Sequence, residues 1–303
     1  MKIKRLFIFT LAVIVLQLSN CGKKSLNPDQ RMFFEGVIKG KIELIDAALE
    51  KGVDINIIHP IGSSGMGALH IAVRHKKKDV ILHLLKKKAN INQKDNDGHT
   101  PLSEAIDIAS SELFHFLIDR GANTKIKDEK DRTLLHLAAS ARSFKIFKTL
   151  IEKGFDVNAV DDLGNTPIFY AVENGRKYRV KVLVSKGAKL EIKNDKGQTP
   201  FHLAAVNGNA DLFQNLLDSG QNFDTKDEDD KTPLFYALKE EKYKVALLLM
   251  KNKADLNVEN LTKILFHIVK NNETELFNDM LKIEKIKKNL LSIDDSDKGN
   301  LLQ

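Results

Sequence analysis

An all-α array of repeated helix–turn–helix units is the fold class that this sequence predicts, on three observations. The first is a motif that returns every 33 residues: Thr100-Pro101-Leu102, Thr133-Leu134-Leu135, Thr166-Pro167-Ile168, Thr199-Pro200-Phe201 and Thr232-Pro233-Leu234. The second is a pair of invariant columns. Ala72, Ala105, Ala138, Ala171, Ala204 and Ala237 form one, and Leu84, Leu117, Leu150, Leu183, Leu216 and Leu249 the other. The third is punctuation, Gly-Ala at Gly121-Ala122 and Gly187-Ala188 and Asp-x-x-Gly at Asp95–Gly98 and Asp161–Gly164. A fixed period of this size marks a solenoid, whose units pack only on their neighbours.

Each part of the unit has a physical reason. Thr suits an N-cap, where its hydroxyl accepts an orphan backbone N–H, and Pro suits the first helical position, where no N–H is needed. The invariant Ala lets the next repeat's helix approach closely. A second amphipathic run follows, such as Asp211–Leu217, with apolar residues at helical spacing. Glycine then supplies the left-handed C-cap, and Asp-x-x-Gly makes a tight turn to the next unit. No unit can bury its apolar face alone, so stacking supplies the core.

The repeat resembles the ankyrin repeat. The resemblance implies an all-α ankyrin-repeat solenoid that acts as a binding scaffold. Its repeats fall near 31–66, 67–99, 100–132, 133–165, 166–198, 199–231 and 232–260, followed by a degenerate cap at 261–303.

Residues 1–20 read as a signal peptide outside this array. Lys2, Lys4 and Arg5 form a basic start, and the apolar run Leu6–Leu18 is shorter than the about 20 residues that span a bilayer. Leu18-Ser19-Asn20-Cys21 resembles a bacterial lipobox, with Asn20 in place of the usual small residue. Cys21 is the sole cysteine, so the resemblance implies that it is lipidated and that no disulfide forms. Residues 21–30 then read as the lipidated Cys and a polar tether, able to reach about 30 Å if extended. Without the first 20 residues the chain carries 45 basic against 41 acidic side chains, and residues 21–90 alone hold 13 against 7. Lys76–Lys78 and Lys86–Lys88 concentrate that excess in repeat 2, next to the tether.

Repeat 1 begins near Arg31 and has Phe33-Phe34-Glu35-Gly36-Val37 where later copies have Thr-Pro, as suits a terminal cap. The link after it is three residues longer and contains Gly62-Ser63-Ser64-Gly65-Met66-Gly67. Lacking the Gly-Lys-Ser/Thr ending of a phosphate loop, it reads as an inserted loop. Asp131 and Asp230 replace the turn glycine in two links and are expected to adopt its left-handed conformation. Beyond Glu259 the register decays, and Asp297–Gln303 echoes Glu129–His136 as though another repeat were starting.

His70, His136 and His202 occupy one column of the repeat. The resemblance gives them a structural role, bridging neighbouring turns. Two repeats apart they stand roughly 20 Å from one another, too far to share a metal whose ligands lie within about 2 Å. No nucleophile–base–acid set stands out, and the reading is a non-enzymatic protein with no cofactor, no metal and no nucleic-acid partner. Lys94, Lys127, Lys193 and Lys226 form a row at the turn tips, broken only by Val160, with Asp95, Asp128, Asp161 and Asp227 in the column that follows, so the alternating charges are expected largely to cancel along it.

In the family, partners contact the turn tips and the two residues after the first helix's Ala pair. Here those pairs are Ile38-Lys39, Arg74-His75, Asp107-Ile108, Ser140-Ala141, Glu173-Asn174, Val206-Asn207 and Lys239-Glu240. They vary while the Ala and Leu columns do not. The expected partner-binding residues are therefore Arg74, His75, Asp107, Glu173, Asn174, Asn207 and Lys239, on a concave face with few core contacts. Taken together, the sequence reads as a monomeric, exported scaffold. It is lipid-anchored to a cell or outer membrane, its basic end faces that membrane, and it binds an unidentified protein. An inhibitor or immunity-type protein against a secreted enzyme, or a surface protein contacting host molecules, is the alternative.

Overall fold

The computed structural model describes residues 26–60, 64–254, 265, 266, 268, 270, 271 and 274–281. The signal segment, Cys21, residues 61–63 of the long link, most of the degenerate cap and the C-terminal echo lie outside the described residues. Helices run in pairs. First helices are α1 (Pro28–Lys39), α3 (Ala68–Arg74), α5 (Pro101–Asp107), α7 (Leu134–Ser140), α9 (Pro167–Glu173), α11 (Pro200–Asn207) and α13 (Pro233–Lys239). Second helices are α2 (Ile42–Glu50), α4 (Lys78–Lys86), α6 (Ser111–Ile118), α8 (Phe144–Glu152), α10 (Lys177–Ser185), α12 (Ala210–Leu217) and α14 (Tyr243–Lys251), with α15 (Thr274–Leu281) beyond them. Among the described residues there is no strand. A single antiparallel bridge between Ile58 and Gly67 closes the inserted loop. The all-α class read from the periodicity is the class observed.

The helices sort into two compact units, Met1–Leu134 with Ala141–Ile146, and Leu135–Ser140 with Phe147–Gln303. In the first unit α1 packs on α2 and α3, and α3 on α4 and α5. Its core holds Phe33, Phe34, Ile45, Leu69, Ile81, Leu84, Leu102 and Phe114, all fully buried. In the second unit α9, α11 and α13 stack in one row and α10, α12 and α14 in another. Phe147, Phe169, Phe201, Phe213 and the Leu column fill the space between the rows. The invariant Ala column is buried throughout.

Two local expectations need correction. The first helix starts at Pro28, inside the stretch read as tether. Asn27 caps it reciprocally, its Oδ1 accepting the Gln30 N–H at 2.8 Å while Gln30 Oε1 accepts the Asn27 N–H at 3.0 Å. The Thr cap is also less uniform than the motif suggests. Thr100 and Thr232 accept a backbone N–H as expected, whereas the buried Thr166 hydroxyl has no hydrogen-bond partner.

The histidine column behaves as the resemblance implied. His202 Nδ1 accepts the Thr199 N–H at 3.0 Å and its Nε2 donates to the Lys231 carbonyl, 29 residues on, at 3.1 Å. His70 does the same between Gly67 and the His99 carbonyl, and His136 Nε2 donates to the Asn165 carbonyl. A carbonyl only accepts, so each Nε2 carries a proton, and in His70 and His202 an Nδ1 that accepts a backbone N–H makes the ring neutral. Burial pushes the pKa of His70 and of His202 down, which keeps them so.

The link aspartates are not part of an alternating surface row. Asp95, Asp128, Asp161 and Asp227 are buried. Each Oδ1 accepts two backbone N–H groups of its own turn, two and four residues on, at 2.8–3.0 Å. Asn194 does the same in the copy that lacks Asp. Gly98 completes such a turn at φ +76°, where a Cβ would stand 2.5 Å from the Glu129 nitrogen. Asp131 and Asp230 take the same left-handed conformation at φ 55° and 59°, as expected.

Asp128 carries the largest electrostatic consequence. Burial alone would raise its pKa, but the hydrogen bonds from His99 and from the Arg132 backbone and side chain overcome this and hold it near 2. Asp128→Asn keeps the turn acceptor and removes the charge, and is expected to cost about 2 kcal/mol at neutral pH. The folded pKa lies below the unfolded one, so this contribution is complete above about pH 4 and fades as pH falls toward 2. Denaturant melts of both proteins across that range measure it, and a gap that stays constant with pH would refute the charge argument.

Candidate binding surface

The residue pairs that end the first helices project beside the link turns, and each unit builds its own surface from them. In the first unit Arg74, the last residue of α3, is half-exposed. Its fork grips Glu104 of α5 through Nε at 2.7 Å and a terminal nitrogen at 2.8 Å. The Glu104 side chain is only 4% exposed, so this pair is a clamp between repeats. That corrects the expectation of few core contacts at Arg74: the guanidinium is already committed to a buried carboxylate. Hydrogen bonding to Glu104 raises the Arg74 pKa further.

His75 and Asp107 stand near this clamp, exposed at their tips yet flanked by protein. Desolvation lifts the Asp107 pKa, Glu104 adds to the rise, and His99, Arg132 and Arg74 oppose it. Desolvation, Lys77 and Arg74 together lower the His75 pKa. The first unit thus presents a mixed-charge surface whose strongest member is internally paired. Repeat 2 is similarly tempered. Of its two lysine runs, Lys78 pairs with Glu112 at 2.6 Å and Lys87 with Asp46 at 3.0 Å, while Lys76, Lys86 and Lys88 stay exposed.

The second unit holds a cleft of about 360 Å³ between the ends of α9 and α11 and the turns that precede them. Leu163, Phe169 and Leu203 form its apolar wall, Glu173, Asp195 and Lys196 its charged rim, and Tyr170, Asn194 and Gln198 its polar floor. The floor is held from beneath. The Tyr170 hydroxyl donates to Asp161 Oδ2, and Asn194 donates to the Asn165 side-chain oxygen at 3.2 Å. Gln198 donates to the Tyr236 hydroxyl at 3.1 Å, which in turn donates to Asp227 Oδ2 at 2.7 Å. Leu163 is 52% exposed at the edge of the cleft.

Of the residues expected from sequence, Glu173 lines this cleft. Asn174 and Lys239 are exposed at the ends of α9 and α13, outside its wall. Asn207 is half-buried and donates to the carbonyls of Val172 and Glu173 at 3.2 and 3.4 Å, so it pins one first helix to the next. The turn-tip residues were missed individually. Leu163 could have been found, because its column otherwise reads Asp97, Lys130, Lys196 and Asp229. Among the described residues no group of three His, Cys, Asp or Glu side chains is placed to hold a metal ion, and no helix is long and apolar enough to cross a membrane.

The chain matches the family model described as ankyrin repeats (3 copies) over residues 33–128, 107–194 and 178–260. No curated protein matches it.

The Arg74–Glu104 clamp has a measurable signature. Arg74→Ala is expected to cost about 1–2 kcal/mol of stability, because it strands a buried carboxylate. The double variant with Glu104→Leu is expected to recover most of that loss. Denaturant melts of the two single variants and the double one give the coupling, and additive losses would show that the pair contributes nothing.

Proposed function

Because the chain belongs to the ankyrin-repeat family, whose repeats serve as protein-interaction scaffolds, we propose that it is a lipid-anchored adaptor that captures a partner protein on its first-helix ends and turn tips. The observation that carries this reading is the cleft of the second unit, with Leu163 exposed above a floor that hydrogen bonds hold in place. A rigid recess with one uncovered aliphatic side chain costs little ordering entropy on binding. The apolar wall takes a hydrophobic side chain, and the charged rim formed by Glu173, Asp195 and Lys196 orients what surrounds it. In the first unit His75 and Asp107 offer a second, polar contact area next to the Arg74 clamp. Asn174 and Lys239 extend the surface of the second unit.

Membrane attachment rests on Leu18-Ser19-Asn20-Cys21 following a basic start and an apolar run. Export and acylation of Cys21 place the repeats at a membrane surface, on either its periplasmic or its outward side. The exposed Lys76, Lys86 and Lys88 of repeat 2 favour an anionic leaflet, at on the order of 1 kcal/mol per cation near the surface. The function is binding, without a catalytic step.

Two experiments test the two halves separately. Cys21→Ala is expected to move the protein from the detergent phase to the aqueous phase; unchanged partitioning would remove the anchor from this account. For the binding half, crosslinking in intact cells identifies the partner, and titration with Leu163→Asp and Glu173→Lys then locates its site. Leu163→Asp is expected to weaken binding by about 1–3 kcal/mol with the melting curve nearly unchanged. Binding that survives both substitutions but fails on changes at the second helices would place the partner elsewhere.

A further inference from the structure

One column of the second helices is aliphatic in every copy but one. Val80, Leu113, Ile146, Leu212 and Val245 occupy it, and all are buried. The fifth copy has Arg179 there, and it is only 4% exposed. A cation in an apolar column costs several kcal/mol unless a counter-charge meets it. None does among the described residues. Arg179 forms no ion pair, and its Nε is fully buried without an acceptor. The charge it feels is another cation, Arg176, and its guanidinium carbon stands over the face of Phe147 at 5.6 Å. Burial first, and Arg176 second, bring its pKa down to about 10.

Arg179 is the third residue of α10, a nine-residue helix whose N-cap is Arg176. Side chains in a helix lean toward its N-terminus, so the guanidinium is aimed back at the first turn. That turn has no side-chain cap: the Lys177 and Arg179 N–H groups donate to the Gly175 and Arg176 carbonyls at 3.0 and 2.8 Å, which leaves the Tyr178 N–H. Arg176 is fixed beside it, its Nε donating to the Ser140 carbonyl at 3.1 Å, which leaves the rest of its fork available. Lys177 is turned away into an ion pair with Asp211 at 2.6 Å, so that carboxylate is spent. Two guanidinium groups and a helix N-terminus thus converge with no anion among them. We propose that the N-terminal turn of α10, with Arg176 and Arg179, is a binding site for a phosphate group. A tetrahedral dianion supplies acceptors for two forks and for the Tyr178 N–H at once, which a single carboxylate does not.

The test is calorimetric titration of the full chain with sodium phosphate, against sodium chloride at matched ionic strength. The wild-type chain is expected to bind phosphate. Arg179→Leu and Arg179→Met are each expected to weaken binding at least about tenfold, and Arg176→Gln to weaken it less. Without phosphate, Arg179→Leu restores the column's aliphatic residue and is expected to melt about 2–4 °C higher than wild type. Arg179→Met, which keeps the length of the side chain, carries the binding test if the leucine variant packs poorly. A second arm titrates a phosphoserine peptide: affinity above that of the free ion assigns the site to a phosphoryl group on a protein, and equal or lower affinity assigns it to free phosphate. No binding by the wild-type chain, or equal binding by both Arg179 variants, overturns the proposal.

Discussion

The side-chain oxygen that closes each link turn, a buried carboxylate in all but one, is the interaction on which the rest of the second unit's surface depends. A chain with no sheet among its described residues has no ladder to absorb the backbone N–H groups of its turns, and a buried N–H without an acceptor costs about 1–3 kcal/mol. Asp161 and Asp227 meet that need with Oδ1, and Asn194 meets it with the equivalent atom. In the two aspartates this leaves Oδ2, which accepts from Tyr170 and Tyr236. The same side chain therefore closes the turn and fixes the floor of the cleft. One carboxylate thus closes the turn with one oxygen and holds a tyrosine of the cleft floor with the other.

In the first unit Asp128 solves the same problem with different partners. Its Oδ2 accepts from Arg132 at 2.7 Å and lies 3.4 Å from His99, in place of a tyrosine. Hydrogen bonding to Asp128 raises the His99 pKa. The His99 carbonyl in turn accepts from His70 of the preceding repeat. Turn closure, charge pairing and the bridge between repeats thus run through a handful of side chains beside Arg74 and Asp107. The surface there is polar and self-satisfied, whereas that of the second unit is partly apolar and open.

Much of this was legible in the amino-acid sequence, because a repeat supplies its own comparison. The period, the Ala and Leu packing columns and the glycine caps were legible in one chain, whereas the bridging role of His70, His136 and His202 came from the resemblance to the ankyrin repeat. The direction of the link carboxylates was not. Spacing alone placed Asp95 and Asp128 at turn tips beside exposed lysines, and only the fold shows them turned inward onto backbone N–H groups. The engagement of Arg74 escaped for a related reason: its partner Glu104 lies 30 residues away, and which columns of adjacent repeats face each other is a property of stacking. Asn207 looked like a free surface amide until the carbonyls of α9 appeared beneath it. Leu163 and Arg179 were visible as exceptions within otherwise uniform columns, but as exceptions to a polar and an aliphatic rule they carry meaning only once the burial of those columns is known.

The 29-residue histidine bond has a consequence for how the chain finds its own order. His70, His136 and His202 each reach the same carbonyl position of the following repeat, so these bonds are interchangeable. By them alone, one repeat dock is as good as another, and an array skipping or swapping a unit would satisfy them equally well. What makes the correct neighbour recognisable is the set of contacts that occur once: Arg74 with Glu104, Gln198 with Tyr236, Asn207 with the end of α9. Uniform bonds give the array its strength, and singular ones act as its addresses. A version of this chain idealised to a single consensus repeat would keep every shared bond and lose the means to tell its own units apart.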